Sequence, residues 1–483
     1  MSDFQKIFIP VLIAIVFSCG CSNPYGWLPP TSTDKNFILF DRTLKGDDSA
    51  MGLSIAIAPD GIIWVLGSTK STVGIGDVPS SKHKDRDAWL IGINPEKSES
   101  EQIIYNRCFG GDDGDSASSM IVAKDGTIWL AGSTSSVAGT GDIPASKQKE
   151  RDVWVIGINP KKIESEQIIY NRCFGGDYND STIKIVFDNK GILWLLGSTD
   201  TVKIINRIAG PGTKYIWILG IDTKKSENEQ IVYKRDIKGA GSYFCRAFAV
   251  AKDGTLWLVG RTNDTKYNIG NTDEIGDIPP SKYGRQDIWL LGLDPKKSED
   301  KQIIYKRCFG GNGIENIANM VIDKDDVLWI AGETEESAIS ESGDVPKSAH
   351  FASDVWLLGI DTKKRTGQEI VYNRSFGKYG MDNPTAIAID KDGILWLTGE
   401  SIDFRYSKSI AATWLLGIDP KQSEDKQIIY NRILDDKHGN SIYSIAVGTD
   451  SIWSTGLFRH FLGKKKKTLD RANSGIWVIG VKR

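Results

Sequence analysis

The sequence predicts an all-β fold: a seven-bladed β-propeller with four antiparallel strands per blade, its N-terminal strand completing the last blade. Three observations lead there. A pair of tryptophans recurs seven times, an arginine recurs with them every 58–72 residues, and each repeat holds four short apolar or alternating runs separated by turn signals. Fixed self-similarity of this period marks a stacked repeat architecture. Four strands per repeat, taken seven times, describe a propeller, in which each sheet covers its neighbours and few edges stay open.

The first tryptophan series is Trp64, Trp129, Trp194, Trp257, Trp329, Trp396 and Trp453; the second is Trp89, Trp154, Trp217, Trp289, Trp356, Trp414 and Trp477. Fourteen of the fifteen tryptophans are thereby placed, Trp27 alone lying outside. A glycine follows each three residues on, as in Gly132 after Trp129 and Gly157 after Trp154, which lets aromatic rings lie close to backbone. The clearest repeat reads EQIIYNRCFGG (101–111), SASSMIVAKDG (116–126), TIWLAGST (127–134), a polar loop, then RDVWVIGINP (151–160). Asp-Gly at 60–61, 125–126, 253–254 and 392–393 is a strong hairpin signal between β-rich runs. We name the strands of a blade A to D from the axis outward. The chain enters at 36–44 (NFILFDRTL) with a D-type strand and ends at 476–481 with a C-type strand. The last blade should therefore borrow its outer strand from the N-terminus.

Composition limits the functional classes. Sixty Lys+Arg against 62 Asp+Glu give a net charge of −2, which argues against nucleic acid as the main partner. Apolar residues at 40% exclude a polytopic membrane protein and a disordered chain. Residues 7–17 (IFIPVLIAIVF) are too short to span a bilayer but suit a signal-peptide core. They run into Ser-Cys-Gly-Cys-Ser, where small residues beside a cysteine resemble the lipobox of bacterial lipoproteins. Cys19 fits the acylated position, with Cys21 the alternative. Residues 1–21 then form the signal peptide and lipobox, 22–35 a Pro-rich tether, and 36–483 the propeller. The expected address is the bacterial cell envelope, lipid-anchored, at the outer membrane or cell surface.

The run IIYNRCFGGDDGDSASSMIVAKDGTIWLAGSTSS, followed by GDIP and RDVWVIGINP, resembles the SBBP-type bacterial β-propeller repeats. The resemblance covers residues 36 to 483. It implies the fold and an extracytoplasmic setting, and it is silent on ligand. Blades 3, 6 and 7 depart from it, since they lack the Gly-Asp-Ile/Val-Pro loop, and blade 7 also lacks the Gly-Gly pair.

In a four-stranded blade the B–C and D–A connections leave on one face. The B–C loops carry Asp77, Asp142, Asp277 and Asp344, each in a Gly-Asp-Ile/Val-Pro motif; the D–A connections carry Asp112, Asp113, Asp115, Asp177 and Asp180. These carboxylates are the candidate ligand or cation loops, with Ca²⁺ the cation they would take. The competing reading is that each caps its own loop. Asp87, Asp152, Asp287 and Asp354, two residues before the second tryptophan, read as structural, as does the arginine series Arg42, Arg107, Arg172, Arg235, Arg307, Arg374 and Arg432. Cys108, Cys173 and Cys308 share one repeat position on different blades, too far apart for a disulfide, and Cys245 stands alone. The histidines (His83, His350, His438, His460) and the run 464–467 of lysines read as solvated loop residues. No nucleophile–base motif or zinc spacing is present, and no cofactor is called for. The expected function is a monomeric, non-catalytic binding or scaffolding module that takes a protein or glycan at its B–C/D–A loop face. The alternative is an envelope carbohydrate-active enzyme, a glycan hydrolase or lyase, using loop-face carboxylates.

Overall fold

The computed structural model describes residues 36–483 except 72–76, 78, 80–85, 147–149, 202–203, 206–207, 210–212, 238, 240–242, 264–276, 280–285, 312, 336–343, 346–352, 378–379, 404–409, 436–439 and 460–473. Cys19, Cys21, the tether, all four histidines and the lysine run lie outside the described residues.

The fold is all-β and propeller-like, built from four-stranded antiparallel sheets. In the clearest repeat Asp115–Val122, Ile128–Thr134, Asp152–Ile158 and Ile168–Phe174 pair in chain order. Among the described residues there are five such sheets, an eight-stranded sheet, and the small hairpin Ile204–Ile205/Ile208–Ala209. The eight-stranded sheet is two quartets joined by one parallel bridge, Gln286 to Ile314. We number the quartets by their inner strands: Ala50–Ile57, Asp115–Val122, Asn179–Phe187, Tyr243–Val250, Ile314–Ile322, Met381–Ile389 and Ser441–Val447.

The seventh quartet draws its outer strand from the chain start. Ile38–Leu44 runs antiparallel to Gly475–Lys482, with Thr43 opposite Trp477. The Trp477 indole N–H donates to Asp41 at 2.9 Å. Inner strands touch in chain order, and Ser441–Val447 also packs against Ala50–Ile57. The Ile55 amide donates to the Ser444 hydroxyl across that last junction at 3.2 Å.

The core sits between sheets. One cluster joins Trp64, Leu66 and Leu90 of the first quartet to Leu130, Trp154 and Ile156 of the second; another joins Val65 and Trp89 to Trp453, Ile476 and Val478 of the seventh. The register explains the tryptophan and glycine series together. Trp129 lies opposite Gly157 and Gly132 opposite Trp154. A Cβ on Gly132 would sit 2.4 Å from the Trp154 ring and 1.9 Å from the Ser116 carbonyl oxygen. The first tryptophan then meets the outer-strand tyrosine edge-on, as Trp64 meets Tyr105 at 5.3 Å. Burial pushes the Tyr105 phenol up to about 12. Each buried tryptophan contributes about 2–3 kcal/mol of burial, so the spacing of the sequence is an energetic requirement.

One regular feature has no sequence signature. Every inner strand slips register by one residue opposite the second-strand glycine: at Leu53, Ser118, Ile183, Arg246, Ala318, Thr385 and Tyr443. A bulge of this kind leaves one residue unpaired and re-aims its side chain. Pro384 sits beside the bulge on Met381–Ile389, an edge strand of its sheet, where a residue without an N–H is tolerated.

Candidate functional site: a cavity between the inner strands

The carboxylates of the Gly-Asp-Ile/Val-Pro loops are latches between neighbouring quartets. Asp142 accepts from Arg107 of the preceding outer strand at 2.9 Å, its amide donates to the Gly110 carbonyl at 2.9 Å, and its carbonyl accepts from Asn171 at 2.9 Å. Asp77 pairs with Arg42 at 2.9 Å, Asp277 with Arg235 at 3.2 Å and Asp344 with Arg307 at 3.0 Å. The following Ile143, Ile278 and Val345 are buried against Trp154, Trp289 and Trp356. The repeated arginine is thus an interblade partner of the repeated aspartate.

The D–A aspartates separate by depth. Asp112 accepts from the Val137 and Ala138 amides at 3.0–3.2 Å and caps the neighbouring loop. Asp113 accepts from the Gly114 amide at 2.6 Å. Asp177 lines a groove beside Phe174 and Trp217. Asp115 and Asp180 are buried, at 0% and 3% exposure, and accept from the Gly111 amide at 2.5 Å and the Gly176 amide at 3.0 Å. Glu315 and Asp382 occupy the same place in later quartets, equally buried. Opposite stand Asp87, Asp152, Asp287 and Asp354 at the start of the third strands, each fully buried. The glycine that follows the outer-strand phenylalanine admits them: a Cβ on Gly110, Gly175, Gly310 or Gly377 would meet their carboxylates at 1.9–2.2 Å. Burial raises the Asp115 and Asp180 pKa values above the usual carboxylate range. Burial, reinforced by Asp287, pushes Glu315 up to about 7. Among the described residues no group of three or more His, Cys, Asp or Glu side chains could hold a metal ion. Cys108, Cys173, Cys245 and Cys308 form no disulfide, and burial pushes the Cys245 thiol up to about 12.

The loop-face end of the inner strands holds a different site. A cavity of about 570 Å³ opens between the inner strands of the fourth to seventh quartets. Four of its lining residues, Arg246, Ala318, Thr385 and Tyr443, are the bulged residues of those strands. The bulge is architectural, but the side chains it aims inward differ from quartet to quartet.

Other lining residues also depart from the repeat. Arg261 and Glu333 stand where Ser68, Ser133 and Ser198 occupy the first three quartets, directly after the second-strand glycine. They are joined in a chain: Arg261 donates to Asn316, and Asn316 donates to Glu333 Oε1 at 2.9 Å. The Arg261 guanidinium lies over the Phe244 ring, 5.2 Å from its centroid. Asn383 accepts from Ser353 at 3.0 Å. The wall therefore offers guanidinium and amide donors, a carboxylate acceptor and two aromatic rings, already held in place. A concave site of this volume with a few convergent polar groups is the usual form of a ligand pocket. The sequence carries a signal for it, the replacement of Ser by Arg261 and Glu333 after the repeated glycine. The bulge that admits Arg246 and Tyr443 left none.

No family model matches the chain. It is 21% identical over 410 residues to the regulatory protein FlaEY of Caulobacter vibrioides, across 78% of this chain. The chain spans only 39% of the length of that relative. Among solved structures it is similar in fold to a Mycobacterium tuberculosis puromycin-hydrolyzing peptidase, at 11% identity and a TM-score of 0.41, over 90% of this chain and 52% of that one. A polysaccharide lyase aligns at 9% identity and a TM-score of 0.46, over 97% of this chain and 94% of that one.

Proposed function

We propose that the chain is a closed seven-bladed propeller, held on the bacterial envelope by acylation of Cys19 or Cys21, that binds part of a protein or glycan partner in its inner-strand cavity without chemical turnover. The closed ring is supported by the packing of Ser441–Val447 on Ala50–Ile57 and by the first strand completing the seventh sheet. The SBBP-type resemblance and the lipobox-like Ser-Cys-Gly-Cys support the envelope address. The observation that carries the binding role is the cavity wall. Four structurally equivalent bulges present Arg246, Ala318, Thr385 and Tyr443, and the repeat demands none of these identities.

The test is a binding screen of the purified protein against envelope polysaccharides and peptides, repeated with Arg261→Ala and Arg246→Ala. A ligand whose affinity falls at least tenfold in both variants, and which is recovered unchanged, supports the reading. Cleavage of a polysaccharide that depends on Glu333 would replace it with the enzymatic alternative. Labelling with radioactive palmitate tests the anchor: Cys19→Ser should abolish it, persistence would point to Cys21, and label that survives loss of both cysteines rejects lipidation there.

A further inference from the structure

The four latches show what their groove accepts, and the third quartet has the groove without the latch. In the second quartet Ile143 packs among Phe109, Trp154 and Ile156. In the fourth Ile278 packs with Trp289 and Leu291, and in the fifth Val345 packs with Phe309, Trp356 and Leu358. The B–C connection of the third quartet, residues 202–212 (VKIINRIAGPG), contains no Gly-Asp-Ile/Val-Pro. The equivalent residues Phe174, Trp217 and Leu219 line an open groove of about 310 Å³, floored by Gly175 and Gly176. Trp217 and Leu219 keep 8% and 7% exposure, where the latched Trp154 and Ile156 have none.

The polar partners of a latch are present too. Arg172 holds the place of Arg107 and pairs with the exposed Glu227 of the next C–D connection. Arg107 makes the same kind of contact, with Glu164, in addition to its latch aspartate. Lys234 replaces Asn171, the residue that donates to the latch carbonyl, and it lines the groove. Exposed Tyr178 stands at the rim.

We propose that this groove is a docking site for an extended segment of a partner polypeptide that presents Asp-Ile-Pro or Asp-Val-Pro, in imitation of the chain's own latches. The β-branched side chain enters between Phe174, Trp217 and Leu219. The carboxylate faces Arg172, and the backbone carbonyl takes the Lys234 ammonium. A second copy of this chain is a poor occupant, because its own motifs at Asp77, Asp142, Asp277 and Asp344 are each engaged with an arginine. The site is separate from the inner-strand cavity and stands whether or not that cavity binds anything.

The experiment titrates the detergent-solubilised full chain with a labelled octapeptide, Gly-Thr-Gly-Asp-Ile-Pro-Ala-Ser, followed by fluorescence anisotropy. Saturable binding with a dissociation constant below 1 mM is expected, weakened about tenfold when the peptide Asp becomes Asn or its Ile becomes Ser. In the protein, Gly176→Leu should abolish binding without a change in melting temperature, since a Cβ at Gly176 meets nothing within 4 Å and the longer side chain fills the groove. Lys234→Ala, on an outer strand, should weaken it severalfold and serves if the leucine variant is unstable. No saturation at 1 mM, equal binding of the three peptides, or binding indifferent to both substitutions overturns the proposal.

Discussion

Glu315→Gln isolates the electrostatic cost of one buried carboxylate. Glu315 is 1% exposed at the junction of the fourth and fifth quartets. Burial and then the nearby Asp287 raise its pKa from 4.5 to about 7, against the opposing Gly311 amide and the Thr334 hydroxyl at 3.4 Å. In the unfolded chain the carboxyl ionises near its ordinary value. Between that value and pH 7 the native state holds a proton the unfolded state has lost, so stability falls as pH rises through this window. Below it the group costs nothing; above it the full cost applies. The rise from 4.5 to about 7, at about 1.4 kcal/mol per pH unit, gives about 3–4 kcal/mol. With an unfolding entropy of about 1 kcal/mol/K for a chain this long, that is about 3–4 °C in melting temperature. Glutamine keeps the shape and the acceptor oxygen without the charge. Melting curves at intervals from pH 4.5 to 8.5 should coincide for the two proteins at the acid end and separate to about 3–4 °C, the variant higher, at the alkaline end. A gap that does not change with pH, or a wild type that melts higher at pH 8, would refute the reasoning.

The latch pair is testable by a double-mutant cycle. Asp142→Ala and Arg107→Ala, whose side chains are 11% and 13% exposed, should show a coupling of about 1–2 kcal/mol in denaturant unfolding, and additive effects would deny the latch. Gly132→Ala places a methyl group against Trp154 and the Ser116 carbonyl and should cost about 3 kcal/mol. Gly126→Ala, at φ 84° with open space around it, should cost only the left-handed strain of about 1–2 kcal/mol. Equal melting temperatures for those two variants would contradict the packing account. Deleting residues 36–45 uncovers the edge of Gly475–Lys482 and strips Trp477 of Asp41. The expected result is association on gel filtration and a lowered melting point, and an unchanged monomer would mean that the first strand does not complete the seventh sheet.

The repeat was legible because its residues answer to one packing rule. A tryptophan needs a glycine directly across the ladder, so both types recur at fixed spacing, and a reader of the sequence alone can phase the strands from them. The same rule hid the site. Repeated aspartates attract attention as possible ligands, yet Asp77, Asp142, Asp277 and Asp344 each hold an arginine across a junction, a packing duty that accounts for their recurrence. The buried Asp87 and Asp115 recur, as Asp152 and Asp180, Asp287 and Glu315, and Asp354 and Asp382, because four junctions hold a pair of buried carboxylates around the turn glycine. What varies between repeats is freed from such duty. Arg261 and Glu333 in place of serine were therefore visible to a comparison of the chain with itself. Arg246 and Tyr443 were not, because a strand pattern of period two assigns them a face that the bulge reverses. The blade-3 groove illustrates the converse. It is defined by a motif that is missing, and only the seating of Ile143, Ile278 and Val345 in the other junctions gives that omission a shape and a charge. In a repeat protein the architecture is written in what recurs, and specificity is to be sought where the recurrence fails at a position the framework keeps.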